Sequence, residues 1–296
     1  MRTALLIGVL FSSFEIFACT TFSLAIANAA TPASEDVSVP AGNYYVGDVF
    51  GKQDYRGHAN AVVSSYRIMK TEVTYALYRD VSAWGAQHGY LLDQGCEECY
   101  SSPEDDEKPV AAISWLGAAV WANALSEMTG AEPYYRDGQG GIIRNVGQRA
   151  DIEAALQPKD DTGYRLPTLQ EWHIAARGAM KALIAGTYGF HHSGGDNIDD
   201  VAWHADKARD TGPLRVGRLK PNQIGLHDMS SNVAEWTATS AEGLAASTDG
   251  KRKYYYFCGE NWAEKEALTL AACDFHSSGF AEGNIGFRLV RTVKPK

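Results

Sequence analysis

The sequence predicts a loop-rich α+β domain, and three observations predict it. Helix starts with identifiable caps cluster between residues 70 and 180. Strands and helices do not alternate as βαβ units, which removes the parallel α/β architectures. After residue 180 the chain loses regular periodicity; Gly, Asn, Asp and Ser punctuate it, with isolated Trp and Tyr between them.

The first segment, "MRTALLIGVLFSSFEIFACTTFSLAIANAA", reads as a secretory signal peptide over residues 1–29. Arg2 gives a positive start, an apolar stretch follows, and Ala27-Asn28-Ala29 supplies an A-x-A site for cleavage near Ala29. Glu15 interrupts the apolar run, which argues against a permanent span of ~20 apolar residues. No later segment is apolar enough to cross a bilayer. The expectation is a single domain over residues 30–296, periplasmic or secreted.

"VSVPAGNYYVGD" has the alternation of an edge strand interrupted by Pro40 and Gly42. "TEVTYALYRDVSAWGAQHG" predicts a helix capped by Thr74. Leu77, Val81 and Trp84 lie on one face, and Gly89 ends it. A polar loop over 90–108 carries Cys96 and Cys99. "ISWLGAAVWANALSEMTG" predicts a second helix, capped by Ser114 and stopped by Gly130, with Ala118, Ala122, Leu125 and Met128 as its apolar stripe. "RLPTLQEWHIAARGA" holds the clearest start of all: Thr168 and Glu171 are spaced as a capping box. Trp172, Ala175 and Ala176 form its inner face and Gly178 its end. The closing "NIGFRLVRT" predicts a strand with Ile285, Phe287 and Leu289 on one side.

The net charge is −9. With no Lys/Arg-rich stripe, nucleic acid is not an expected partner. There is no P-loop, no dinucleotide fingerprint and no Ser/His/Asp set, so no nucleotide cofactor is expected. "HHSGGDNIDD" lacks the acidic spacing of a calcium loop and reads as surface. Beyond the leader the chain keeps Cys96, Cys99, Cys258 and Cys273; an even count in an exported chain favours disulfides, with connectivity left open.

Six phrases in order carry a family likeness: "VPAGNYYVGD", "KTEVTYALYR", "KPVAAISWLGAAVWANALSEMTG", "YRLPTLQEWHIAARGA", "KPNQIGLHDMSSNVAEWT" and "NIGFRLVR". The chain resembles the formylglycine-generating enzymes, or sulfatase-modifying factors, whose relatives include a pyoverdine-maturation oxidase and ergothioneine-pathway sulfoxide synthases. The resemblance implies a variant of the C-type-lectin fold with little regular secondary structure. It also implies a structural calcium at "SNVAEW", with side-chain oxygens from Asn232 and Glu235 and the carbonyl of Val233; the alternative is that Asn232 caps a turn and Glu235 pairs with an arginine. Calcium takes six to eight hard oxygens, which these groups suit. The family has Gly where this chain has Ser231.

The catalytic positions depart from the family. Formylglycine-generating enzymes carry "GGS", an aromatic residue, and two cysteines that hold copper(I). Here Gly259-Glu260-Asn261 and Trp262 occupy that stretch, and "AEKEALTLAA" contains no cysteine. Copper(I) selects thiolates, and Glu264 and Glu266 cannot replace them, so copper is not expected. Cys258 and Cys273 flank the gap. They are read as a disulfide, a relocated thiolate site, or thiols free or paired with Cys96 and Cys99.

Glu260 places an ionisable group where the resemblance puts the pocket; a half-buried carboxylate there can serve as a general base, and the alternative is a glutamate that only hydrogen-bonds its loop or meets solvent. Asn261, Trp262, Trp236, Asp274 and His276 are the other candidates, with Asn261 beside Glu260 as the second catalytic position. Two function classes follow. One is an oxidase-like enzyme that modifies an exported peptide or small molecule without generating formylglycine. The other is a non-catalytic module that binds or inhibits a protein partner, such as an immunity or adaptor protein. Whether the chain is an enzyme stays open at this point.

Overall fold

The structure, a computed structural model, describes residues 35–46, 60–95, 105–149, 152, 162–208, 211–241, 253–264, 269–270 and 272–293. All belong to one compact unit, Pro32–Lys296. The expected leader, Cys96 and Cys99 lie outside the described residues.

Three small sheets and two principal helices build the scaffold. Strands β1 (Asp36–Val39), β4 (Tyr66–Met69) and β9 (Val290–Thr292) form an antiparallel sheet in the order β1-β4-β9. Strands β2 (Gly42–Tyr45) and β3 (Asn60–Val63) pair separately. The third sheet runs β7-β6-β5-β8, from β5 (Ala234–Ser240), β6 (Tyr254–Cys258), β7 (Cys273–Ser277) and β8 (Ile285–Gly286); only β5 and β8 are parallel.

Helix α1 (Tyr75–Gln87) starts at Thr74, whose hydroxyl accepts the Leu77 N–H at 3.2 Å, and the left-handed Gly89 follows its end. Helix α2 (Trp115–Met128) starts at Ser114, which accepts the Gly117 N–H at 3.0 Å. The expected one-sided stripe on α2 needs correction: every residue from Trp115 to Ser126 is buried. Elements pack on it from all sides, and its alanines let them approach closely. Asn123 survives there because its amide donates to the carbonyls of Tyr135 and Ile143 and accepts the Tyr135 N–H.

Helix α3 (Leu169–Ala176) has the expected capping box, with Glu171 N–H to Thr168 Oγ1 at 3.1 Å and Thr168 N–H to Glu171 Oε2 at 2.8 Å. Helices α4 (Ala179–Ala185), α5 (Ile198–Val201) and α6 (Ala205–Ala208) are short. One apolar core surrounds α2 and includes Trp121, Trp236, Phe287 and Leu289; a second surrounds Trp172 on α3 and includes Tyr66, Ile68, Met229 and Cys258.

One strand is interrupted as its sequence predicts, and another is broken where one strand was expected. The interruption expected at Pro40 is present: Pro40 cannot continue the ladder, and β1 and β2 on either side of it enter different sheets. "NIGFRLVRT" likewise splits into β8 and β9, with the buried Arg288 between them. Ile285, Phe287 and Leu289 nonetheless face one core.

Candidate functional site

The site is built where the loop after β6 docks on the turn before β5. That turn is strained: Asp228, Ser231 and Asn232 all have left-handed φ, at 59°, 80° and 69°. Hydrogen bonds hold it. The Ser231 hydroxyl donates to the Trp203 carbonyl, the Asn232 N–H donates to the same carbonyl at 3.2 Å, and the Ser231 N–H donates to the Gly259 carbonyl. A left-handed serine costs about 1–2 kcal/mol. The hydroxyl bond offsets part of that cost.

Beneath the turn lies a buried charged network. Arg288 is fully buried and grips Glu235 with two 2.7 Å hydrogen bonds, Nε to Oε2 and Nη2 to Oε1. The Trp172 indole N–H donates to the same Oε2 at 2.8 Å, so α3, β5 and the segment before β9 meet at one carboxylate. Glu72 Oε1 accepts from the Asn232 amide at 2.9 Å, and its buried Oε2 lies 3.9 Å from Arg288 Nη2. Burial first, and the neighbouring Asp228 second, push the Glu72 carboxyl well above the usual carboxylate range. Burial raises Asp228 as well.

The loop over 259–264 forms the rim above. Gly259 is required there: its φ is +94°, and a Cβ would sit 3.0 Å from the Trp172 ring. Glu260 follows, also left-handed at 54°. Asn261 is buried and its side-chain oxygen accepts the Ala263 N–H at 2.9 Å, closing a tight turn. Trp262 donates its backbone N–H to the Asn232 carbonyl at 2.9 Å and packs on Ala111 and Val233. Glu264 accepts the Ala205 N–H at 2.9 Å, tying the rim to α6.

Glu260 is half-buried, and its Oε2 has no hydrogen-bond partner among the described residues; the same holds for the Trp262 indole N–H. Burial first, and the Glu264 charge second, push the Glu260 pKa up to about 8. A carboxyl poised near neutral pH exchanges a proton readily.

The remaining sequence candidates divide. Trp236 is fully buried, and its indole donates to the Ile113 carbonyl at 2.8 Å, so it belongs to the core and not to a pocket wall. Asp274 and His276 lie on β7 opposite Phe257 and Tyr255; Asp274 is exposed, and His276 stacks on Phe280 with ring centroids 3.5 Å apart. Their side chains alternate away from Cys273. Cys258 and Cys273 stand directly opposite each other on β6 and β7 and are joined by a disulfide. His173, absent from the sequence candidates, faces that pair: its Nε2 is 3.5 Å from Cys273 Sγ. Its position on α3 beside Trp172 gave no signal in the linear chain.

A family model, the sulfatase-modifying factor enzyme 1-like domain, matches residues 21–293. The chain belongs to that family. This sulfatase-modifying factor relative is 27% identical to the formylglycine-generating enzyme of Streptomyces coelicolor over 310 residues, covering 88% of this chain and 90% of that enzyme. The chaperone protein LppX of Paenibacillus barcinonensis is 30% identical over 195 residues, or 60% of this chain. The match spans only 63% of LppX. The crystal structure of CarF superposes with a TM-score of 0.78 at 40% identity, covering 88% of this chain and 99% of CarF. The loop-rich α+β fold expected from the sequence is thereby shown.

The two metals that the family likeness implies can be tested against the donors. For calcium, Glu235 already spends both oxygens on Arg288, and the Asn232 Oδ1 accepts the Leu214 N–H at 2.8 Å. A guanidinium in bonding contact with the carboxylate repels a dication at the same place. As arranged, Asn232, Val233 and Glu235 do not fit a calcium donor set. For copper, residues 259–272 contain no thiolate, and the sulfurs of Cys258 and Cys273 are spent on each other. The family's copper chemistry does not fit these residues either.

Proposed function

We propose that this family member is exported and acts on an exported peptide or small molecule at the 259–264 rim, and that it is not a formylglycine generator. Glu260 carries the reading. A half-buried carboxyl with an unpartnered oxygen, poised near neutral pH, accepts or returns a proton at a substrate atom placed against it. Oxidation of an amine or ring carbon requires such a proton removal, and dioxygen is the electron acceptor that an oxidase-like reading names. Trp262 offers an indole N–H to orient the substrate, and Asn261 fixes the turn that presents Glu260.

The test compares cells making the wild-type chain with cells making Glu260→Gln, by mass spectrometry of exported peptides and small molecules and by oxygen uptake. A mass shift present in the first and lost in the second supports the reading. Identical product profiles and oxygen uptake remove Glu260 from the chemistry.

A second reading is a binding module using the same rim. Two observations favour it: the pairing of the cysteines as a disulfide and the likeness to a protein named as a chaperone. It expects a stable complex captured by the wild-type chain and no turnover.

A further inference from the structure

Cys258, Cys273 and His173 come together from β6, β7 and α3, with one ligand atom of each within 4.8 Å of the others. We propose that these three residues form a redox-gated zinc(II) site: a disulfide when oxidised, and a Cys₂His donor set once the disulfide is reduced. The inference goes beyond the Glu260 reading and does not depend on it.

The geometry supports three ligands on one ion. Zn–S bonds of about 2.3 Å and Zn–N bonds of about 2.1 Å at a tetrahedral angle place sulfur and nitrogen about 3.6 Å apart. His173 Nε2 and Cys273 Sγ are already 3.5 Å apart. Only the two sulfurs must separate, and each does so by rotation about its own Cα–Cβ bond. Three protein ligands leave a fourth tetrahedral position for water.

Charge favours a divalent ion that accepts sulfur. Cys258 is buried, and both cysteines pack in the apolar core around Trp172. Two thiolates and a neutral imidazole around Zn²⁺ sum to zero charge. The same ligands around a monovalent ion leave a net negative charge in apolar surroundings, which is costly. A hard ion such as calcium does not take sulfur.

The step balances with a dithiol as reductant. Its thiolate attacks the Sγ of Cys273, the less buried of the two residues, and Cys258 leaves as thiolate. The second thiol of the reductant then displaces Cys273 and forms the reductant's own disulfide. The dithiol is oxidised by two electrons and the protein disulfide is reduced by two. Zinc then takes the place of the two thiol protons.

The full chain is prepared oxidised, or reduced with a phosphine that is then removed under nitrogen. Each form is dialysed against zinc(II) and the bound metal counted by elemental analysis. The proposal expects one zinc per reduced chain and none on the oxidised chain. It also expects His173→Gln to lose more than about 100-fold in affinity, beyond the effect of an outer-shell partner. Cobalt(II) in place of zinc should give thiolate charge-transfer absorption in the reduced wild type. No metal on the reduced wild type, equal metal on both forms, or unchanged affinity in a folded His173→Gln overturns the proposal. The wild-type comparison decides even where the variant does not fold.

Discussion

Arg288 and Glu235 form a two-pronged ion pair with no solvent contact, joining the end of the chain to the first residues of β5. The pair also fixes Trp172, and Trp172 in turn fixes Gly259, so the rim carrying Glu260 rests on it. Substituting Glu235→Gln removes a charge that a buried guanidinium needs. The expected loss is about 3–5 kcal/mol in urea unfolding. A loss under about 1 kcal/mol would show that the network does not support the fold as described.

Stability should fall as pH rises. Glu260 and Glu72 both have raised pKa values in the folded chain, so the folded state holds more protons than the unfolded one between pH 4.5 and each folded value. The stabilisation relative to the ionised condition is complete below about pH 4.5 and is lost as pH climbs through about 8 for Glu260. Glu260→Gln removes one of these groups. Its melting temperature should match wild type near pH 4 and exceed it near pH 8, by roughly 2–4 °C per kcal/mol recovered. A difference that grows toward acid instead would reverse the sign and contradict the assignment.

Gly259→Ala tests the packing under the rim. The substitution forces a side chain into a left-handed conformation against Trp172, at about 1–2 kcal/mol for the backbone alone. Chemical denaturation should show at least that loss. An unchanged midpoint would mean that the loop relaxes away from Trp172.

Peptide mapping should find Cys258 and Cys273 unreactive to alkylation until the protein is reduced. The double variant Cys258→Ala/Cys273→Ala should lose about 3 kcal/mol, the loop-closure value for a separation of 15 residues. Ready alkylation of both thiols before reduction would refute the pairing.

Much of this was legible in the sequence because local chemistry announces itself. The caps at Thr74, Ser114 and Thr168 each bond as their spacing predicts. Six ordered phrases gave the family, and Glu260 stood out as a charge at a glycine position. What was not legible depended on contacts distant in sequence. Strands β5 and β7 carry no clean alternation, although the aromatic run "YYYFC" of β6 is itself a strand signal. Trp236 looks like a pocket residue until β5 buries it. Whether Glu235 is an ion ligand or the partner of an arginine is decided only by Arg288, more than fifty residues away in sequence. His173 is one of eight histidines and gains meaning only when α3 packs against β6 and β7.

The central claim is that Glu260 is a carboxyl poised near neutral pH, and its titration tests that most directly. Side-chain ¹³C-labelled glutamate is introduced, the Glu260 signal is assigned by its loss in Glu260→Gln, and its shift is followed across the pH range by NMR. The account predicts a midpoint near 8. A midpoint near the ordinary glutamate value of about 4.3 would contradict it and leave the rim without its proton carrier.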